Sequence, residues 1–270
     1  MSDFRVHAAL TTPFREDGWL DLDALRAHVG MLSDDGVDGV VPAGTTGEGP
    51  LLEEAEVANV IATAVQAAAG RMEVIGHVGR ASTPATVRLA KAAAGAGADA
   101  VVAITPYYYK YGAEALLAHY RALIDAVAGT PVFAYTFPDR AGYELPVAVL
   151  DTLAGEGLAG LKDSTKSSER HAEYLEVARA HEGLRVFVGW ERLTLDSLRA
   201  GSAGSISALA NARPDVLLRV RDERSEEAQQ AVERAQAELP GIADVKRAVS
   251  ERLAERGVSY QPAARAPLGV

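Results

Sequence analysis

Residues 156–166 read E-G-L-A-G-L-K-D-S-T-K, so a lysine, Lys162, ends an otherwise apolar run. A buried ammonium is costly unless it is paired or has given up its proton. Two readings of Lys162 stand side by side. It is either a strand-end lysine reaching water along its apolar stem, or an amine placed indoors. Partial desolvation lowers a lysine's pKa and frees the amine, and a free amine attacks a ketone to give a Schiff base. The protonated imine is an electron sink, so C–C bonds beside it are made or broken without a metal.

Other residues suit that chemistry. Tyr135, in A-Y-T-F-P-D-R, is a proton shuttle or a core tyrosine with a satisfied hydroxyl. Gly44-Thr45-Thr46-Gly47-Glu48 is either a tight turn or a loop whose backbone N–H groups hold a carboxylate. It lacks the Lys-Ser/Thr ending of a phosphate loop. Arg140 offers a bidentate grip on a second carboxylate, or is a surface arginine. The histidines His7, His28, His77, His119, His171 and His181 include no H-x-x-x-H pair, so metal chemistry finds no support. There is no G-x-S-x-G nucleophile elbow. The chain has no cysteine, which removes disulfides, thiolate nucleophiles and zinc–thiolate sites together.

Positioning these groups is the task of an alternating chain. Strand-like apolar runs lie at Val6–Leu10, Gly39–Pro42, Glu73–His77, Ala100–Ile104, Val132–Tyr135, Leu158–Leu161, Val186–Val188 and Gly204–Ile206. Near-continuous apolar runs are what parallel strands buried on both faces require. Helical patterns follow each of them: Leu22–Leu32, Glu53–Ala69, Pro84–Ala94, Ala113–Val127, Pro146–Leu153, Ser168–Ala180, Arg192–Ala200 and Pro214–Arg221. Eight β-then-α units predict a (β/α)8 TIM barrel over residues 1–222. The rival, a doubly wound open sheet, would show a Gly-rich fingerprint after the first strand, where this chain has T-T-P-F. Gly95-Ala96-Gly97-Ala98 precedes a strand, the wrong side for a dinucleotide. Two further helices, Ser225–Leu239 and Ile242–Arg256, split by Pro240-Gly241, make a C-terminal helical extension over 223–270. It ends in an extended tail from Tyr260.

In such a barrel chemistry collects at the C-terminal ends of the strands. That rule selects Thr45 and Thr46 after the second strand, Tyr107–Tyr109 after the fourth, Tyr135 and Arg140 at the fifth, and Lys162 at the sixth. Tyr135 and Lys162 then stand at matching levels on neighbouring strands. An exposed aromatic loop, Tyr107–Tyr111, predicts an interface and a homo-oligomer.

Bulk properties narrow the partners. Of 270 residues 48% are hydrophobic, enough for a substantial core, and the net charge is -10. An acidic chain without a basic tract is a poor ligand for nucleic acid or anionic membrane. No run approaches the ~20 apolar residues of a membrane helix. The opening MSDFRVHAAL lacks a signal-peptide pattern. A chain without cysteine fits a reducing cytoplasm.

The motifs G-T-T-G-E, T-P-Y-Y-Y, Y-T-F-P-D-R-A-G and G-L-K-D-S-T occur in this order and spacing. With G-S-A-G-S-I-S-A-L-A-N at 201–211 and R-A-P-L at 265–268, they resemble the dihydrodipicolinate synthase / N-acetylneuraminate lyase family over nearly the whole chain. The resemblance implies a pyruvate Schiff-base mechanism without cofactor or metal. In it Lys162 forms the imine, Tyr135 carries the proton and Thr45 relays it. Tyr108 completes the relay from a neighbouring subunit, as in dimers within a tetramer. Thr46, with Gly47 and Ile206, holds pyruvate. Arg140 falls where the synthase grips the aldehyde's carboxylate, and Gly189 and Glu191, beside Trp190 and Arg192, fall where sugar-handling members bind hydroxyls.

The chain also departs from the synthase pattern. Thr136 stands for a usual Asn, Ala141 for a common Thr, and Gly76-His77-Val78-Gly79 is similar to the lyases. Condensation of pyruvate with aspartate semialdehyde is favoured by Arg140. Aldol cleavage of a 2-keto-3-deoxy sugar acid is favoured by residues 76–79 and 105–109. A non-catalytic keto-acid binder is the reading outside enzymology.

Overall fold

The computed structural model describes residues 4–268. The first three residues and the last two of the expected tail, Gly269 and Val270, lie outside the described residues. Eight parallel strands close into a barrel in chain order. They are β1 (Arg5–Ala8), β2 (Gly39–Val40), β3 (Glu73–His77), β4 (Ala100–Ile104), β5 (Val132–Thr136), β6 (Gly160–Asp163), β7 (Arg185–Val188) and β8 (Gly204–Ser207). β8 pairs back onto β1, so no edge is left open.

The helices are α1 (Leu22–Asp34), α2 (Glu54–Ala68), α3 (Thr83–Gly95), α4 (Ala113–Ala126), α5 (Pro138–Ala141), α6 (Val147–Gly155), α7 (Ser168–Ala180), α8 (Thr194–Arg199), α9 (Pro214–Glu223), α10 (Glu226–Glu238) and α11 (Ile242–Ala254). Local chemistry sets their starts. Asp21 accepts from the Ala24 N–H at the head of α1, and Ser167 accepts from the Arg170 N–H at the head of α7. Glu53, expected as the first helical residue, is instead the cap of α2 and forms a capping box with Glu56.

Strand alternation sorts side chains into two layers. Val102, Ile104, Phe133, Tyr135, Phe187 and Ile206 fill the barrel. Ala103, Ala134, Leu161 and Val186 face the helices. At the floor, Phe133 fits because β6 offers Gly160, where a Cβ would lie 2.3 Å from the Phe133 ring. Below it His7 and Arg185 both reach Glu73, at 2.9 and 2.8 Å.

Several boundaries differ from the sequence reading. β6 runs through Lys162 and Asp163 rather than stopping at Leu161, because the backbone ladder continues to Thr136 and Val188. A one-turn helix, α5, was absent from the pattern; it lies between Phe137 and Gly142 and carries Arg140. Four residues are too few to show a helical period. In place of a helix from Arg192, a 3-10 turn over Glu191–Leu193 leads into α8.

The C-terminal helices pack on this chain's own barrel. Ala228, Val232 and Ala235 of α10 join the core between barrel and helices. Val245, Val249 and Leu253 of α11 pack with Ala24 and Met31 of α1 and with Tyr260. No helix among the described residues is long and apolar enough to cross a membrane.

Candidate active site

A cavity of about 560 Å³ opens at the C-terminal ends of the strands, and Lys162 lines it. Alternation along β6 puts Leu161 and Asp163 outward and Lys162 inward. Only 7% of the lysine is exposed. Its Nζ lies 4.4 Å from the centroid of the Tyr135 ring, a cation–π distance. Among the described residues no carboxylate lies within ion-pair distance of that nitrogen.

Tyr135 and Lys162 are register partners across β5 and β6, as their matching levels require. Tyr135 is 2% exposed, and its hydroxyl stands 3.4 Å from Thr45 Oγ1. Two hydroxyls at this separation are able to pass a proton between them. His77 packs edge-on against Tyr135 with centroids 6.1 Å apart. Burial, with the nearby positive charges of Arg80 and Lys162, holds His77 down at about 3. It therefore stays neutral near pH 7.

The loop carrying Thr45 and Thr46 is tightly built. Ala43 and Glu48 flank it with φ of 59° and 58°, the left-handed region that costs a residue with a side chain. A Cβ on Gly47 would lie 2.7 Å from the Leu10 carbonyl oxygen, and Thr12 donates to the Gly47 carbonyl at 2.6 Å. Thr45 and Thr46 line the cavity; Gly47 is not on its wall and lies packed against the strand-β1 side of the loop.

Gly189, Glu191 and Ile206 also line the cavity. A Cβ on Gly189 would lie 2.2 Å from Ser164 Oγ and 3.2 Å from Lys162 Cε, so only glycine leaves the lysine room. The Glu191 carboxylate accepts from Ser207 Oγ at 2.7 Å and from Gln236 Nε2 at 3.2 Å. Both donors are neutral side chains, and among the described residues the carboxylate has no cationic partner. Arg140 also lines the cavity, and among the described residues its guanidinium has no carboxylate partner. Thr136 accepts from the Leu145 N–H at 3.0 Å and so ties β5 to the segment after α5.

Tyr108 is not brought to this cavity. It is 85% exposed, with φ of 81°, and packs edge-on against Tyr109. Sequence reasoning missed Ser164 and Gln236, both of which line the cavity. Ser164 lies inside the K-D-S-T motif and was open to notice. Gln236 gave no signal, being one polar residue on a polar helix.

Behind the site Asp163, His171 and Ser197 form a buried chain, with 2.8 Å at each link. The order resembles a hydrolase triad, but Ser197 is buried and donates to Ser202 at 2.7 Å. The chain of bonds ties β6 to α7 and α8, and none of its three residues lines the cavity that holds Lys162. Among the described residues no three His, Asp or Glu side chains are grouped to hold a metal ion.

Comparison with known proteins agrees with this geometry. The dihydrodipicolinate synthetase family model matches residues 3–270. A DapA-like lyase of uncharacterized function from Halobacterium salinarum is 36% identical over 264 residues, 94% of this chain and 86% of the relative. The 4-hydroxy-tetrahydrodipicolinate synthase of Chlorobium luteolum is 37% identical over 220 residues, 81% of this chain and 73% of the relative. Among solved structures, YagE, a prophage protein of the dihydrodipicolinic acid synthase family from E. coli K12 in complex with pyruvate, superposes with a TM-score of 0.89. It is 27% identical and covers 98% of this chain and 92% of its own. CdNal from Clostridium difficile, in complex with mannosamine, shares the fold at a TM-score of 0.86 and 22% identity, over 99% of this chain and 93% of its own. A buried lysine beside a tyrosine at the mouth of a closed barrel, matched over this length, places the chain in the dihydrodipicolinate synthetase family, whose members are class I pyruvate-dependent lyases.

Proposed function

We propose that the protein condenses pyruvate with a carboxylate-bearing aldehyde of the aspartate-semialdehyde type, through an imine on Lys162. The observation that carries the chemistry is the enclosed Lys162 amine, without an acidic partner among the described residues, over Tyr135, whose hydroxyl is 3.4 Å from Thr45. The neutral amine adds to the keto carbon of pyruvate. Tyr135 supplies the proton with which the carbonyl oxygen leaves as water. Loss of a C3 proton then gives the enamine, with Tyr135 and Thr45 as its path outward. The enamine carbon attacks the aldehyde, the new alkoxide takes a proton, and water releases the product and the free lysine. Thr46, through its hydroxyl and loop backbone, holds the pyruvate carboxylate in this reading, with Ile206 on the wall beside it.

Arg140 supports the choice of aldehyde. It faces the cavity with no carboxylate of its own chain to pair with among the described residues. A charge-assisted contact of this kind contributes about 1.5–3 kcal/mol. Aldol cleavage of a 2-keto-3-deoxy sugar acid is the second reading, favoured by Glu191, a cavity-wall carboxylate able to accept from substrate hydroxyls, with Gly189 beside it. Residues 223–270 belong functionally to the site in either reading, because Gln236 and the turn after α10 line the cavity. Tyr108, exposed on its own chain, serves a neighbouring copy in a homo-oligomer, a dimer or tetramer.

Reduction with borohydride in the presence of pyruvate tests the first half, with a mass increase on Lys162 as the expected result. No adduct would leave a keto-acid binder. An aldehyde panel tests the second half: Arg140→Ala should raise KM for aspartate semialdehyde about 10- to 100-fold and leave the pyruvate adduct intact. An equal loss with a neutral sugar aldehyde would favour the second reading. Sedimentation showing monomers alone would remove the role given to Tyr108.

A further inference from the structure

The loop that presents Thr45 and Thr46 is fastened from beneath by the C-terminal segment. Glu48 and Lys246 are both fully enclosed, with 0% of either side chain exposed, and they pair at 2.8 Å. The Lys246 ammonium also donates to the Ala263 carbonyl at 2.6 Å and lies 4.6 Å from the Phe14 ring centroid. The second oxygen of Glu48 accepts from the Arg265 N–H at 2.7 Å. The Arg265 guanidinium in turn grips both oxygens of Glu56 and the Leu51 carbonyl. Three stretches meet here: the loop after β1, the loop after β2, and α11 with its tail.

Stability alone gives a poor account of this pair. Removing two charges from water is expensive, and a well-packed apolar pair commonly does as well or better. Burial pushes the Lys246 ammonium below the usual lysine range, opposed by Glu48. What a charge pair adds over an apolar one is direction and register. That matters here, because Glu48 holds φ at 58° and Ala43 at 59°, on either side of the two threonines. Left-handed residues with side chains persist where the surroundings over-determine them. The turn itself closes through short backbone bonds, Glu48 N–H to Thr45 O at 3.1 Å and Gly49 N–H to Gly44 O at 2.9 Å. Glu48 is therefore the handle by which an outside group sets Thr45.

We propose that Lys246 is a positioning residue for catalysis: through Glu48 it fixes the 44–48 turn so that Thr45 Oγ1 meets the Tyr135 hydroxyl. The C-terminal extension thus takes part in proton transfer without touching substrate. The inference rests on the imine reading above. The readout is solvent exchange of the pyruvate C3 hydrogens in D2O, followed by proton NMR. It needs imine, enamine and proton path, and no aldehyde.

The unaltered protein is measured first. Absence of both borohydride adduct and exchange there overturns the proposed function, before any variant is made. In Lys246→Met, the Lys162 adduct should still form at saturating pyruvate, while exchange per adduct-forming site falls at least tenfold below the melting transition. Lys246→Arg should recover part of it. Should Lys246→Met not fold, the neutral double variant Glu48→Gln/Lys246→Met removes the unpaired buried charge and should show the same slowing. Exchange within twofold of the unaltered protein in either folded variant overturns the inference, even with a lowered Tm. So does loss of the adduct itself in a folded variant, which would mean a displaced lysine. Failure of both variants to fold assigns the pair a structural role only and overturns it too.

Discussion

At the scale of single residues, the site turns on small separations. The Tyr135 hydroxyl and Thr45 Oγ1 are 3.4 Å apart, loose for a hydroxyl pair and well placed to tighten when substrate enters. Tyr135→Phe keeps the ring that covers Lys162 and removes only the hydroxyl. On the proposed mechanism it should lower turnover by about 100-fold or more and slow imine formation, while the borohydride adduct on Lys162 still accumulates at saturating pyruvate; unchanged turnover would remove Tyr135 from the mechanism. Gly189→Ala is the complementary test. The added methyl would press on Ser164 Oγ and Lys162 Cε. A misplacement near 1 Å costs about 100-fold, so kcat should fall with little change in far-UV circular dichroism. Lys162, Tyr135 and the two threonines were all legible in the sequence, because strand ends and motifs mark them. Gly189 was legible as a position, but its reason was not, since the atoms it must clear come from another strand.

At the scale of elements, β6 shows how alternation divides labour. Lys162 faces the cavity, and Asp163, one residue on, faces the helices and bonds His171 of α7. Replacing His171 by Leu would leave a buried carboxylate with, among the described residues, the Thr165 N–H as its remaining donor. Such a loss costs about 1–3 kcal/mol, so the urea midpoint should drop while the Lys162 adduct still forms. An unmoved midpoint would show that the tie carries no stability. The sequence displayed β6 as an apolar run and missed its last two residues, because polarity at a strand end reads as a loop. It also missed α5, whose single turn positions Arg140. One turn has no period to detect, and Pro138 followed by Gly142 reads equally well as a plain turn.

At the scale of the whole molecule, buried ionisable groups set the response to acid. Burial lowers His77 to about 3, with Arg80 and Lys162 adding to the effect. Burial lowers His28 to about 4, against the pull of the Asn211 carbonyl, and His119 to about 4. Their ordinary value is 6.5, so below that pH the unfolded chain binds protons that the folded chain refuses. The stability they carry is complete above pH 6.5 and drains as pH falls toward 4 and 3. Each contributes a slope of at most about 1.4 kcal/mol per pH unit. Glu73 has the same sign: burial opposes its ionisation, but His7 and Arg185 outweigh burial and hold it at about 2. Its share is present above 4.5 and is lost as pH falls toward 2. Urea midpoints should therefore decline steadily from pH 6.5 to 4, more gently in His119→Gln; a flat profile over that range would contradict the burial of these imidazoles.

The sequence by itself determined the barrel, its strand order and the strand-end positions of Thr45, Thr46, Tyr135 and Lys162 that line its mouth. Those follow from near-continuous apolar runs, helix caps and the one-directional placement of strand ends, all local properties of the chain. The tertiary structure alone decided that Glu191 would be oriented by Ser207 and Gln236, and that Glu48 would be held by Lys246, 198 positions away. Such contacts join polar residues from distant elements, and no spacing along the chain encodes them. They form because an enclosed donor or acceptor left without a partner is costly, and only the closed barrel fixes which partners are within reach.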